Sequence, residues 1–461
     1  TMKKVILTLV GAALAIGPAL NAQEIKPFKE GERAVFLGNS ITDGGHYHSY
    51  IWLYYMTRFP EMPITVFNGG IGGDTAYDMN KRLDNDIFSK NPTSLMVTFG
   101  MNDSGYFEYN GDNAKEFGEQ KYQESIKNYQ DMEKRFKELP DTRIVMVGTS
   151  PYDEGAEIEG NNFHGKNATI ERIVEYQINS AKQNGWEYTD MNAPMMELNR
   201  KGQQKNPAFT LCGSDRIHPD NDGHMVMAYL FLKAQGFAGK CVADMDINAK
   251  TMQVVKEENC TVSNLKKAGN EIKFDYLAKA LPYPMDTIAR GWMQNRPQSA
   301  AKDVVPFVEE MNQERLLVTG LSGKYKLLID GEEIGVWSAK DLAKGINLAE
   351  ITLTPQYQQA LAVMRLNERR WDIERQFREY AWCQHGFFQQ EGLLNANNRK
   401  AIKVMDDNLE KNGWLKSRRD RYAEMMHEPV RKGMQAEMDA LVNTIYESNK
   451  PVTRHFVLRK I

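Results

Sequence analysis

Four short blocks in this chain have the residue types and spacing that acyl chemistry needs. Gly38-Asn39-Ser40-Ile41-Thr42 presents a serine hydroxyl directly after a strand-like run. At the start of a helix, such an oxygen gains from the positive end of the backbone dipoles. A serine there can also do no more than cap the helix. Asp215-Arg216-Ile217-His218-Pro219 sets a carboxylate three residues before an imidazole. Within one turn the Asp can reach the ring, fix its tautomer and stabilise the imidazolium, as a serine-activating base requires.

The other two blocks offer hydrogen-bond donors. Asn68-Gly69-Gly70-Ile71-Gly72-Gly73-Asp74-Thr75 is a glycine cluster at a strand end. It lets backbone N–H groups converge on an anion, and it equally suits a tight turn of positive φ. No Gly-Lys-Ser/Thr follows, and the spacing is not that of a dinucleotide fingerprint, so nucleotide-binding loops are excluded. Gly100-Met101-Asn102-Asp103 carries an amide that can donate to a developing oxyanion, or be satisfied within its own turn.

The elements that must position these blocks are legible as periodicities. Residues 34–38, 64–68, 95–100, 143–149 and 186–191 read as short buried strands closed by turn residues. Helical spacing lies between them, as at Ile126, Tyr129, Met132 and Phe136. Alternating strand and helix with continuous apolar strands predicts a three-layer α/β/α domain on a parallel sheet, ending near residue 240. Its strand ends are where an open sheet of this kind takes its ligands.

After Gly239 the character changes. Alternating runs such as Glu271-Ile272-Lys273-Phe274-Asp275-Tyr276 and a hairpin turning at Asp330-Gly331 predict a small β unit. Residues 355–448 read as helices, with Leu366, Ile373, Phe377 and Tyr380 on one face, and Phe456-Val457-Leu458 as a strand returning to the sheet. The expected layout is therefore a signal segment at 1–22, a catalytic domain at 23–240 and an accessory region at 241–461.

Taken in order, Gly-x-Ser, the glycine block, Gly-x-Asn-Asp and Asp-x-x-His-Pro resemble the SGNH (GDSL-like) hydrolase superfamily, over roughly residues 30–235. The resemblance implies a flavodoxin-like sheet and a serine esterase. It makes Ser40 the nucleophile, His218 its base and Asp215 the partner of that base. It makes the backbone N–H groups of Ser40 and Gly73 and the Asn102 side chain the oxyanion hole. It implies no metal or organic cofactor. One departure is Asn39, where the family usually has Asp; the acceptor is kept and the charge is lost.

The remaining features bound the function. The chain has 461 residues, 41% hydrophobic, with a formal charge of −3. A slightly acidic chain does not attract polyanions at long range, so nucleic acid is not an expected partner. Lys3 and Lys4, the apolar stretch 5–20 and Leu20-Asn21-Ala22 read as an export signal, with no membrane span after it. That places the mature protein in the periplasm or outside the cell.

Cys212, Cys241, Cys260 and Cys383 show no metal-binding spacing and read as buried thiols. His46-Tyr47-His48 reads as a loop shaping a substrate pocket, and His224 as a helix-start residue behind the catalytic loop. Asp244-Met245-Asp246-Ile247-Asn248 starts like a calcium loop but has Ala249 and Val255 where Gly and Glu belong. The Arg/Glu run 367–379 reads as a solvated helix face, and Trp371 and Phe377 as core.

Three functions compete: a carbohydrate O-acetylesterase acting on glycan or small-molecule esters, a lipid or aryl esterase of the same fold, and a binding module with a vestigial site. The first is expected. The accessory region has no long tether, so it should fold back on the catalytic domain, where the stretch 292–299 could border the active site.

Overall fold

The structure is a computed structural model that describes residues 25–461. The signal segment expected at 1–22 lies outside the described residues. Strands β1 (Arg33–Gly38), β2 (Thr65–Gly70), β3 (Ser94–Val97), β4 (Arg143–Gly148) and β5 (Glu187–Asp190) form one parallel sheet in the order β2-β1-β3-β4-β5. Side chains alternate across it, as the two-residue period of a strand requires. Ala34 and Phe36 join the cluster that holds the helices Tyr47–Arg58 and Asn221–Ala234. Val35 and Leu37 join the cluster of the helices Ala76–Lys81, Ala114–Phe136 and Lys166–Asn184. Both faces are thus covered, giving the α/β/α layering that apolar parallel strands demand. Ser40, Gly73 and Asn102 follow the carboxyl ends of β1, β2 and β3. Asp215 and His218 lie in the loop before the helix Asn221–Ala234.

The β unit of the second half is two sheets. β6 (Ala243–Asn248), β7 (Gln253–Glu258), β10 (Glu314–Thr319) and β13 (Ile346–Asn347) form one, with β6 and β10 parallel. β8 (Cys260–Ala268), β9 (Glu271–Ala278), β11 (Lys324–Ile329), β12 (Glu332–Ser338) and β14 (Arg454–Lys460) form the other, all antiparallel. Met245, Ile247, Leu316 and Val318 of the first share one apolar core with Phe274, Leu327, Phe456 and Leu458 of the second. Asp330 and Gly331 both take positive φ, 52° and 89°, which is the hairpin turn their sequence implies. Asp244–Asn248 is the strand β6, not a loop.

The helices do not cover this sandwich. The helix Pro355–Trp382 lies instead along the helix Tyr47–Arg58 and the edge strand β2, with the helix Glu428–Ser448 beside it. Here the expectation of a solvated Arg/Glu face fails: Asn367, Glu368, Arg370, Glu374 and Arg378 are buried. Their partners are the catalytic domain's own polar groups. Glu374 Oε1 accepts the Asn68 N–H (2.8 Å) and Arg378 Nε donates to Gly70 O (2.7 Å), so side chains pair the open edge of β2. Arg378 also makes a two-pronged pair with Asp86, at 2.8 and 2.7 Å. Those partners lie far away in sequence, which is why the local pattern read as solvent-facing.

Candidate active site

Ser40 opens a short helix, Ser40–Asp43, immediately past β1. Its backbone N–H is among those at a helix start that have no partner within the helix. Asn39 caps this turn, its side chain accepting the Ile41 N–H at 3.0 Å, so the amide does here what a carboxylate would. Gly38 is required by close approach: a Cβ there would fall 2.1 Å from Thr42 Oγ1.

His218 Nε2 lies 2.8 Å from Ser40 Oγ, and its Nδ1 lies 2.6 Å from Asp215 Oδ2. Asp215 Oδ1 accepts the backbone N–H groups of Ile217 and His218, each at 2.9 Å. Burial opposes ionisation of Asp215, but these hydrogen bonds and the neighbouring ring outweigh it and hold the carboxyl below its ordinary range. An ionised Asp215 can only accept, so Nδ1 carries the ring proton and Nε2 is free to take one from Ser40. Arg216, between them, is buried at a left-handed φ of 67°. Its guanidinium donates to the carbonyls of Asp153, Ala156, Ile158 and Asn161, pinning the loop under the Asp–His turn. Nothing in the local sequence signalled that role.

The glycine block approaches Ser40 and carries the Asn102 block with it. The Gly72 N–H donates to Asp43 Oδ2 at 3.0 Å, and a Cβ on Gly72 would lie 3.9 Å from Ser40 Cβ. Gly73 is exposed at φ 87°, with no hydrogen bond on its N–H among the described residues. Asn102 Nδ2 donates to Asp74 O (2.8 Å), and Asn102 Oδ1 accepts from Tyr106 Oη (2.5 Å). Asp103 ties the blocks together, accepting the N–H groups of Ala76 (2.9 Å) and Gly100 (3.0 Å). The structure therefore links Ser40, His218 and Asp215 directly. It brings Gly73 and Asn102 to the same edge through Asp43 and Asp74.

Trp292 is 53% exposed, and its ring stands edge-on to His218 with centroids 5.4 Å apart. The connection carrying it joins β9 to β10 and is fastened to the start of the helix Asn221–Ala234. Asn221 and Arg290 exchange hydrogen bonds of 2.9 and 2.7 Å, Asn295 N–H donates to Asp220 Oδ1 (2.7 Å) and Arg296 Nε to Asp222 Oδ2 (2.7 Å). The accessory region thus supplies one wall beside the histidine.

The histidines expected to shape an open pocket do not. His46 and His48 are buried, His46 stacked on Trp371 with centroids 3.9 Å apart and 3.2 Å from Glu368 Oε2. His224 lies under Gly45, where a Cβ would come 2.2 Å from its ring. His224 stands at a helix start behind the loop after Ser40, as expected, and His46 and His48 fill that loop from behind as well, which was not expected. Trp371 is core as expected, whereas Phe377 is only partly buried. The four cysteines are not bonded to one another. No group of three or more His, Cys, Asp or Glu side chains among the described residues is placed to hold a metal ion.

Comparison with known proteins identifies the relatives of this arrangement. Residues 36–226 match the model of the GDSL-like lipase/acylhydrolase family. A solved structure of a gut microbial diltiazem-metabolizing enzyme is 73% identical, covering 96% of this chain and 100% of that one, with a TM-score of 0.94. The chain belongs to the GDSL-like lipase/acylhydrolase family. It is an ester hydrolase of that family. Residues 361–450 match a second model, described as a diltiazem deacetylase C-terminal helical domain. An acetylxylan esterase of Geobacillus stearothermophilus is 25% identical over 224 residues, 45% of this chain and 95% of its own length. A solved structure of an acetylxylan esterase from that organism is 24% identical, covers 45% of this chain and 96% of that one, and has a TM-score of 0.36.

Proposed function

We propose that this family member is an O-deacetylase of small molecules that works through an acetyl-enzyme on Ser40. The observation that carries the reading is the hydrogen-bonded line from Ser40 Oγ through His218 to Asp215. His218 Nε2 takes the Ser40 proton as Oγ attacks the ester carbonyl. The N–H groups of Ser40 and Gly73 and the Asn102 amide receive the negative charge that develops on the carbonyl oxygen. His218 then protonates the departing alcohol. Water attacks the acetyl carbon, His218 takes its proton, and acetate leaves as Ser40 recovers its hydrogen.

Acetyl as the acyl group rests on the 73% likeness to a diltiazem-metabolizing enzyme and on the deacetylase description of the helical model. The alcohol side rests on Trp292. A base that protonates the leaving oxygen has the alcohol beside its ring, and an exposed indole stands there. A flat, aromatic alcohol fits such a wall. The 25% likeness to an acetylxylan esterase supports a second reading, a carbohydrate O-acetylesterase, since an indole face also suits a sugar ring. We infer export as well, from Lys3, Lys4 and the apolar stretch behind them.

The experiment is a comparison of diltiazem, acetylated xylooligosaccharides and long-chain acyl esters, with the enzyme and with Ser40→Ala. Diltiazem should be the preferred substrate, and Ser40→Ala should lower turnover by on the order of 10⁴–10⁶ with folding intact. Preference for the oligosaccharides would favour the second reading. Substantial turnover by Ser40→Ala would remove the serine mechanism.

A further inference from the structure

A backbone N–H can donate only where the chain points it, but a side-chain amide can face either way. Asn102 is useful to an oxyanion only if its nitrogen, not its oxygen, faces the reacting carbonyl. Two contacts decide this. Nδ2 spends one hydrogen on Asp74 O at 2.8 Å, and Oδ1 is occupied by the Tyr106 hydroxyl at 2.5 Å. The second hydrogen on Nδ2 has no acceptor among the described residues.

Tyr106 is itself held from below. The Lys166 ammonium sits 3.9 Å from the centroid of its ring. Lys166 is fully buried at the start of the helix Lys166–Asn184 and donates to Met101 O (2.6 Å), Ser104 Oγ (2.6 Å) and Gly105 O (2.5 Å). Its three hydrogens therefore bind the turn that carries Asn102 on both sides of it. Phe163 also packs edge-on to Tyr106, with centroids 5.8 Å apart.

We propose that Tyr106, seated on Lys166, is a positioning residue that sets which way the Asn102 amide faces. The inference rests on the reading of Asn102 as an oxyanion donor. It needs no contact between Tyr106 and substrate. Both residues lie outside the four blocks, and Lys166 is supplied by an element some sixty positions away (Met101 to Lys166, 65 residues).

The test is a double-mutant cycle on an activated acetate ester. Tyr106→Phe keeps the ring over Lys166 and removes only the hydroxyl. It should lower kcat about tenfold, the worth of one hydrogen bond, with KM unchanged. Asn102→Ala should lower kcat by roughly 10²–10³. In the Asn102→Ala background, Tyr106→Phe should have almost no further effect, because the amide it orients is gone. Equal losses in both backgrounds, or a change confined to KM, would overturn the positioning role while leaving Asn102 as a donor. A neutral Asn102→Ala would overturn the donor reading and the inference with it. Thermal melts separate these outcomes from misfolding, and Lys166→Met, which removes the hydrogen bonds to Met101 O, Ser104 Oγ and Gly105 O, should lower the melting temperature as well as kcat.

Discussion

The long helix Pro355–Trp382 and the two-sheet sandwich both belong to the second half of the chain, yet they are held by opposite means. The sandwich core is apolar, with Leu327, Phe456 and Leu458 fully covered and their alternating neighbours turned outward. The helix buries charges, and almost every one is answered by the catalytic domain: Arg378 by Asp86, Glu374 by the edge of β2, Glu368 by His46. An apolar face needs only other apolar faces. A buried charge needs a particular partner at a particular distance, because its desolvation is offset only by that partner. The helix is therefore tied to the loops around Ser40 in a way the sandwich is not. Arg375 reaches Asp43 (3.1 Å), and Trp371 Nε1 donates to Gly45 O (3.0 Å), both on the turn that follows the serine.

That contrast can be broken most sharply at Arg378. Arg378→Met removes the two-pronged partner of the buried Asp86, leaving Arg82 and Lys90 beside it, and should cost about 3–5 kcal/mol of stability. Because Arg378 also holds Gly70 O, kcat should fall in the same variant. An unchanged melting temperature and rate would show that the buried charges are ornament, and the contrast would collapse.

The sandwich should behave differently. Leu327→Ala should cost roughly 2–5 kcal/mol, the usual price of a cavity in an apolar core. Turnover per folded molecule should stay at the level of the unaltered enzyme, since no side chain of that core touches the site. A matching loss of kcat at a temperature where the variant is fully folded would show that the two regions are coupled after all.

The smallest effect sharpens the comparison by pH. Burial drives the His48 pKa down to about 4, despite the opposing pull of Glu374, while an unfolded histidine titrates near 6.5. Between those values the unfolded chain takes up a proton that the folded ring refuses, so stability is lost as pH falls from about 6.5 toward 4. The melting temperature should drop over that window, and His48→Gln, which keeps a donor for Thr42 O, should flatten the drop. A melting temperature that is flat down to about pH 4.5 would mean the ring is accessible to protons and the cluster behind Ser40 is open.

Much of this was legible in the residues. The five parallel strands lie within a few positions of the runs that marked them, because a strand buried on both faces needs continuous apolar side chains and turn residues to stop it. The edge strand β5, Glu-Tyr-Thr-Asp, is only half-buried, not buried as its run implied. Ser40, Asp215 and His218 were legible as a set because one spacing is local, three residues, and the other follows from a strand end. The Asp330-Gly331 hairpin was legible for the same reason: its turn chemistry is written in adjacent residues.

What escaped was every feature made by pairing across the fold. Residues 367–379 carry the same letters whether a helix faces water or faces Asp86, Asn68 and Gly70, and only the tertiary structure chose the second. His46 and His48, neighbours that read as a pocket-shaping loop, join the distant His224 in one buried group only when two helices meet behind Ser40. Tyr106 and Lys166 lie outside every motif, since a residue that steers another needs no chemistry of its own. The sequence by itself determined the strands, the turns and the candidate set Ser40, His218 and Asp215, whose requirements are met by near neighbours and strand ends. The tertiary structure decided which charges are buried, what stands beside His218 and which way Asn102 faces, because each of those depends on a distance between residues that the chain does not hold together.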